Sequence, residues 1–184
     1  SRTAFDIDDF IARNNGELLN ALGNFVNRTI TFTRKHIDGA VPDPGERDEH
    51  DLAHLAVIAG QQEKITACLD ACRFKAALSE LMVLARAGNG YLDLKKPWSQ
   101  RKEDIAACGV TMNVGVQTVR ALAVLMAPFM PFSAEKLAAM LNLDMEDGVL
   151  PWADATAELP AGHLLAEPEI LFRKLDAAEL FGAD

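Results

Sequence analysis

In the stretch "GNFVNRT" an asparagine and an arginine, Asn24 and Arg28, stand four positions apart, which is one turn of a helix. Asn offers an acceptor and two donors, and Arg a rigid fork of donors, so the pair has the groups needed to read base edges or to hold phosphate. Further on, "NGYLDLKKPWSQRK" sets Trp98 directly after Pro97 among Lys95, Lys96, Arg101 and Lys102. An aromatic ring among cations is the equipment with which proteins stack an unpaired base while engaging its phosphates. The same residues have plainer uses: an exposed helix face carries polar side chains without any ligand, and a Trp beyond a Pro-terminated helix can fold back as a hydrophobic plug.

Other chemistry-bearing residues lead nowhere by spacing alone. His50 and His54 in "EHDLAH" have the i, i+4 spacing of a zinc pair, but Asp51 stands where the zincin pattern has Glu and no third ligand follows. Both are expected on the surface of a helix N-terminus. Cys68 and Cys72, one turn apart, are expected as two small buried residues. No phosphate-cradling glycine loop, no G-x-S-x-G and no pocketed carboxylate pair is present, so no catalytic residue, metal or cofactor is expected in this chain.

Apolar residues recur at helical rather than alternating spacing, and β-branched runs between turns are scarce. The chain is therefore expected to be all-α, an antiparallel bundle of four to five helices. A first helix is expected from about Asn15 to His36, closed by "DGAVPDPGE", and a second behind the acidic "ERDEHD" to about Cys68. A third runs from about Arg73 to Leu94 and stops at Pro97. A fourth runs from about Lys102 to Met126, and Ser133 is the expected N-cap of a fifth reaching Leu141. At about 100° per residue, Leu18, Leu22, Phe25, Val26, Thr29 and Ile30 share one face of the first helix, while Asn24, Arg28, Thr31 and Lys35 lie nearly opposite it.

With 184 residues, 49% apolar and 24% charged, the composition suits one globular domain with a sizeable core. The net charge of -9 argues against a polyanionic partner until its distribution is considered. Residues 144–184 carry ten acidic residues against two basic, a net -8, so the bundle at 1–143 is nearly neutral. Within that bundle, residues 23–35 and 95–102 contain no acid at all. The segment 144–184, punctuated by Pro151, Pro160 and Pro168, is expected to lie extended on the bundle through Trp152, Leu171 and Phe172. It should keep its acids in solvent or against another domain, and end in a short helix or strand.

No uninterrupted apolar run of membrane-spanning length and no signal peptide is evident, so no membrane is expected. Three sparse cysteines fit a reducing compartment, with the cytoplasm as the expected location. The sequence begins without Met and in mid-pattern, as an excised fragment would.

Four segments together resemble the helical anticodon-binding domain of methionyl-tRNA synthetases. They are "DFIARNNGELLNALGNFVNRT", "ARAGNGYLDLKKPW", "LMAPFMPFSAEKLAAML" and "EPEILFRKLD", and in order and spacing they cover nearly the whole chain. "APFMP" also occurs in other class I synthetases, whereas "N-x-Y" followed by "PW", with the "GN-x-x-x-R" helix, belongs to the methionine enzymes. The resemblance implies that Asn24 and Arg28 read bases of the CAU anticodon of methionine tRNA and that Trp98 stacks on its first base. Lys35, Lys95, Lys96, Pro97 and Arg101 would support those contacts, with Pro97 ending a helix and fixing a loop from which Trp98 projects. It also implies a separate catalytic domain that uses ATP and Mg to join methionine to its tRNA; the HIGH-type and KMSKS-type motifs of that domain are not in this sequence. The partners so implied are the anticodon loop of methionine tRNA and that catalytic domain, toward which the acidic segment would return while facing away from RNA. The alternatives are the anticodon domain of another class I synthetase, against which the "PW" loop stands, a helical protein-interaction module with Trp98 buried, and a small metalloenzyme built on His50 and His54.

Overall fold

The first helix is entered at Asp6, whose carboxylate accepts from the backbone amides of Asp8 and Asp9 and so satisfies donors that an opening turn leaves free. In the computed structural model, which describes residues 5–177, helix α1 (Ile7–Arg13) continues through a π-helical stretch, Asn14–Gly23, into α2 (Asn24–His36). The helix expected from about Asn15 thus starts earlier and is wider through its middle. From Asn24 onward the turns are ordinary, and Phe25, Val26, Thr29, Ile30 and Thr33 are buried as the apolar period requires.

Helix α3 (Glu49–Asp70) is opened by a reciprocal capping box between Asp48 and Asp51. It returns through a turn at Cys72, which has φ +54 and an exposed thiol, to the antiparallel helix α4 (Phe74–Lys95). Cys68 is buried as expected; Cys72 is not, because the turn points it outward. Lys96 ends α4 in the left-handed region at φ +51, and Pro97 does not lead into a loop: it occupies the first position of a further helix, α5 (Pro97–Glu103). A proline costs nothing there, since the amide it lacks has no acceptor in a first turn and its fixed φ is helical.

Asp104 then caps α6 (Ile105–Met126) through the Ala107 amide. Helix α7 (Pro131–Met140) likewise opens on a proline, and its N-cap is Met130, three residues before the expected Ser133.

Helix α6 is the axis of the bundle, packed against α2, α3, α4, α5 and α7. Its 22 residues are long and apolar enough to cross a membrane, a property hidden from a search for unbroken apolar runs by its scattered polar residues; 94% of its apolar window is buried among the other helices. Among the described residues there is no strand, only the isolated bridges Ala40–Leu164 and Glu146–Val149.

After Leu143 the chain runs irregularly over the bundle. A 3-10 turn at Trp152–Ala155 seats Trp152, whose indole donates to Thr66 Oγ1 at 2.9 Å. Gln117 pairs with both backbone groups of Leu159, and Asn15 with both of Leu175. Leu171 and Phe172 are half-buried against the core. Glu158 and Glu167 stay exposed as expected while pairing with Arg47 and Arg34, and the half-buried Asp154 pairs with Arg120 at 2.8 Å. Residues 169–176 are neither helix nor strand, and the rest of the expected terminal element lies outside the described residues.

Candidate nucleic-acid interface

The polar side of α2 is turned toward α4 and α5. Its approach to α4 depends on Gly88: a Cβ there would lie 2.7 Å from ring atoms of the buried Phe25. Gly115 does the same on α6, where a Cβ would come within 3.2 Å of the Thr29 methyl. With backbones this close, side chains on α2 reach partners on α4 directly.

Arg28 Nη2 donates to Asp93 Oδ1 at 2.9 Å, and Nη1 to Asn89 Oδ1 at 3.3 Å. The guanidinium carbon sits 5.3 Å from the centroid of the Trp98 ring, a cation–π arrangement. Asn24, exposed one turn earlier, reaches the same Asn89 Oδ1 at a long 3.5 Å. Asn24, Arg28 and Trp98 are therefore gathered on one face, joined through two α4 residues that sequence spacing had not singled out. The available signal was the i, i+4 spacing of Asn89 and Asp93 just ahead of "KKPW".

Trp98 is 40% exposed, unlike a ring plugged into the core. It forms one wall of a cleft of about 270 Å³ between α2 and α5. Phe32, Leu92, Pro97 and Met112 supply its apolar lining, with Arg28 and Lys35 at its edge. Arg101 Nη1 lies 2.8 Å from His36 Nδ1. Since Arg can only donate, Nδ1 is the unprotonated nitrogen and the proton rests on Nε2. Burial, with Arg101 and Lys35 nearby, holds the His36 pKa below the usual histidine range.

The remaining expected supports divide into two groups. Lys35, Lys96 and Arg101 are exposed; Lys35 lines the cleft and Arg101 is bonded to His36, which also lines it. Pro97 is buried and accepts from the Cys108 thiol through its carbonyl. Lys95 turns inward, its ammonium 2.6 Å from Asp48 and 2.8 Å from Asp51. Burial opposes the charge on Lys95, but the bonds to Asp48 and Asp51 outweigh it and raise its pKa. In turn the bond from Lys95 holds the Asp48 carboxyl down at about 2.

Beneath this pair lies a polar cluster that corrects the placement of His54. Asp51 is buried and accepts from the Tyr91 hydroxyl at 2.7 Å. His54 is buried as well, stacked on Tyr91 with centroids 4.6 Å apart and 3.0 Å from Thr118 Oγ1. Burial lowers its pKa to about 4, so it stands neutral in the core rather than on the surface; His50 is exposed as expected. Among the described residues no group of three or more His, Cys, Asp or Glu side chains is placed to hold a metal.

Residues 41–181 match the model of the anticodon binding domain of methionyl tRNA ligase. Among curated relatives, the methionine–tRNA ligase of Pyrococcus abyssi is 44% identical over 171 residues, which is 93% of this chain and 23% of the relative. That of Bacteroides fragilis is 40% identical over 178 residues, 96% of this chain and 26% of the relative. The chain thus spans about a quarter of the length of these relatives. Among solved structures, the apo form of Mycobacterium tuberculosis methionyl-tRNA synthetase superposes with a TM-score of 0.87 at 30% identity, covering 94% of this chain and 35% of that one.

Proposed function

The chain belongs to the family of anticodon-binding domains of methionyl tRNA ligase, and from that premise we propose that its α2–α5 face reads the CAU anticodon of methionine tRNA. The observation that carries this reading is the exposed Trp98 ring held beside Arg28 at the mouth of an apolar cleft. An unstacked base entering the cleft finds an aromatic surface, while Arg28 and Asn24 offer hydrogen-bonding groups at its edge. Lys35 in the cleft wall and Arg101 beside its His36, with the exposed Lys96 ahead of Pro97, offer positive charge for the phosphates. Lys95 and Pro97 act indirectly: the first anchors the end of α4 to α3, and the second sets the start of α5 from which Trp98 projects. Three acids of the C-terminal segment, Asp154, Glu158 and Glu167, are tied to arginines of the bundle, while the exposed Glu169 lines a groove beside Asn24 and sets a negative charge at that edge of the face.

In this proposal the longer protein is an ATP-dependent methionine–tRNA ligase, and the rest of it performs the chemistry. Titrating the chain with an RNA anticodon stem-loop carrying CAU, and with single-base variants of it, tests the reading. Tighter, salt-dependent binding to CAU than to the variants is expected; equal binding to all of them would overturn it.

A further inference from the structure

Asn89 lies between the two side chains proposed to read RNA, on a helix that contributes neither of them. Its Nδ2 donates to Ala21 O at 2.8 Å and to Ala85 O at 3.1 Å, one carbonyl on the π-helical stretch and the other a turn back on α4. Both donors of the amide are thereby used, and two carbonyls can be satisfied only by the nitrogen, so the orientation of the Asn89 amide is fixed. Its oxygen then faces α2, where it accepts from Arg28 Nη1 and, at greater length, from Asn24 Nδ2.

This polarity passes to Asn24. Where the Asn24 nitrogen is turned toward Asn89, its amide oxygen points away from α4, and the group presented to a ligand is an acceptor. We infer that Asn89 is a positioning residue for base reading: it sets Asn24 to accept from an exocyclic amino group and holds Arg28 over Trp98. The inference rests on the RNA-reading proposal above and adds the class of base edge read, an amino-bearing one. Cytosine and adenine carry such a group, and uracil and hypoxanthine have a carbonyl in its place.

The test uses the chain with a CAU anticodon stem-loop and two altered loops, one with C replaced by uridine and one with A replaced by inosine. The unaltered chain is expected to lose affinity for at least one of the altered loops, by about tenfold, the size of one well-placed hydrogen bond. Asn89→Ala and Asn24→Ala should each remove that preference, and the double variant should be no worse than either alone, since both act through one contact. Thermal unfolding is followed in parallel, because Asn89→Ala also frees two helix carbonyls. If that variant does not fold, Asn89→Ser, which keeps a hydroxyl donor for Ala85 O, is judged by the same preference. Retained preference in the Asn89 variants, equal weakening for all three loops, or fully additive losses would overturn the inference. Trp98→Ala serves as the control: if it too leaves binding unchanged, the RNA-reading proposal fails as a whole, and if it weakens binding while Asn89 variants do not, only this inference fails.

Discussion

The guanidinium of Arg28 lies over the ring of Trp98, 5.3 Å from its centroid, and joins α2 to α5 across the mouth of a cleft. Such a pair at an exposed site contributes about 0.5–1 kcal/mol, enough to bias the ring toward one position without locking it. The pair is pre-organised: the aromatic surface and the donor fork stand in place before any ligand arrives.

Trp98→Ala is expected to weaken stem-loop binding by about 1–3 kcal/mol, the range for a lost base–aromatic stack. Its effect on the melting temperature should be small, because a ring that is 40% exposed has no core to collapse. Unchanged RNA affinity with a sharply lowered melting temperature would return Trp98 to a structural role.

Arg28→Ala should cost about 1–3 kcal/mol of stem-loop affinity and, where Arg28 reads a base, relax preference at one position. Arg28→Lys keeps the charge and loses the planar fork that meets Asn89, Asp93 and Trp98 together. It is expected to restore the salt dependence but not the preference. Binding titrations of both variants at two ionic strengths check this, and full rescue by lysine would reduce Arg28 to a phosphate contact.

Lys95 and Lys96, adjacent in sequence, should behave oppositely. Lys95→Met strands the buried Asp51 beside Tyr91 and is expected to lower unfolding stability by about 3 kcal/mol, as breaking a buried ion pair does. Lys96→Ala should leave the urea midpoint unchanged and weaken RNA binding modestly. A Lys95→Met protein of normal stability would mean that the inward ion pair contributes little.

Folding stability is expected to fall as pH drops from about 6.5 toward 4. His54 has its pKa lowered to about 4 by burial, so within that window the unfolded chain takes up a proton that the folded chain refuses, and protonation favours unfolding. Below about 4 His54 is protonated in both states and its contribution to the loss levels off, at up to about 3 kcal/mol. Glu158, lowered by its bond to Arg47, adds a loss in the lower part of this window, and Asp48, held at about 2, adds one mainly below it, so the His54 share is the part that His54→Gln removes. Urea denaturation at several pH values checks the slope, and His54→Gln should flatten it; an unaltered slope in that variant would assign it elsewhere.

Gly88→Ala should destabilise the chain by about 1–3 kcal/mol, because the added methyl meets the Phe25 ring at 2.7 Å and α2 must move away from α4. A variant that unfolds at the normal urea concentration would show that Phe25 has room to yield.

What the sequence determined by itself is whatever its local period and chemistry enforce. The helical repeat of apolar residues set an all-α fold and the buried face of α2, and the phase of that repeat put Asn24, Arg28 and Lys35 on the opposite side. The acid-free stretches marked both parts of the candidate site, and the motifs marked the family. The tertiary structure decided everything that depends on which helices meet. Lys95 and Lys96 look alike in sequence, yet the left-handed turn at Lys96 leaves Lys95 facing Asp48 and Asp51 and Lys96 facing solvent. His54 looks like a surface residue of an acidic helix start until Tyr91 and Thr118 close over it from two other helices. Asn89 gains its place only because Gly88 lets α4 approach Phe25 closely enough for one amide to reach both helices. These are contacts between residues far apart in the chain, and no local rule encodes them: a side chain's role is fixed by the desolvation and hydrogen-bond partners that packing supplies.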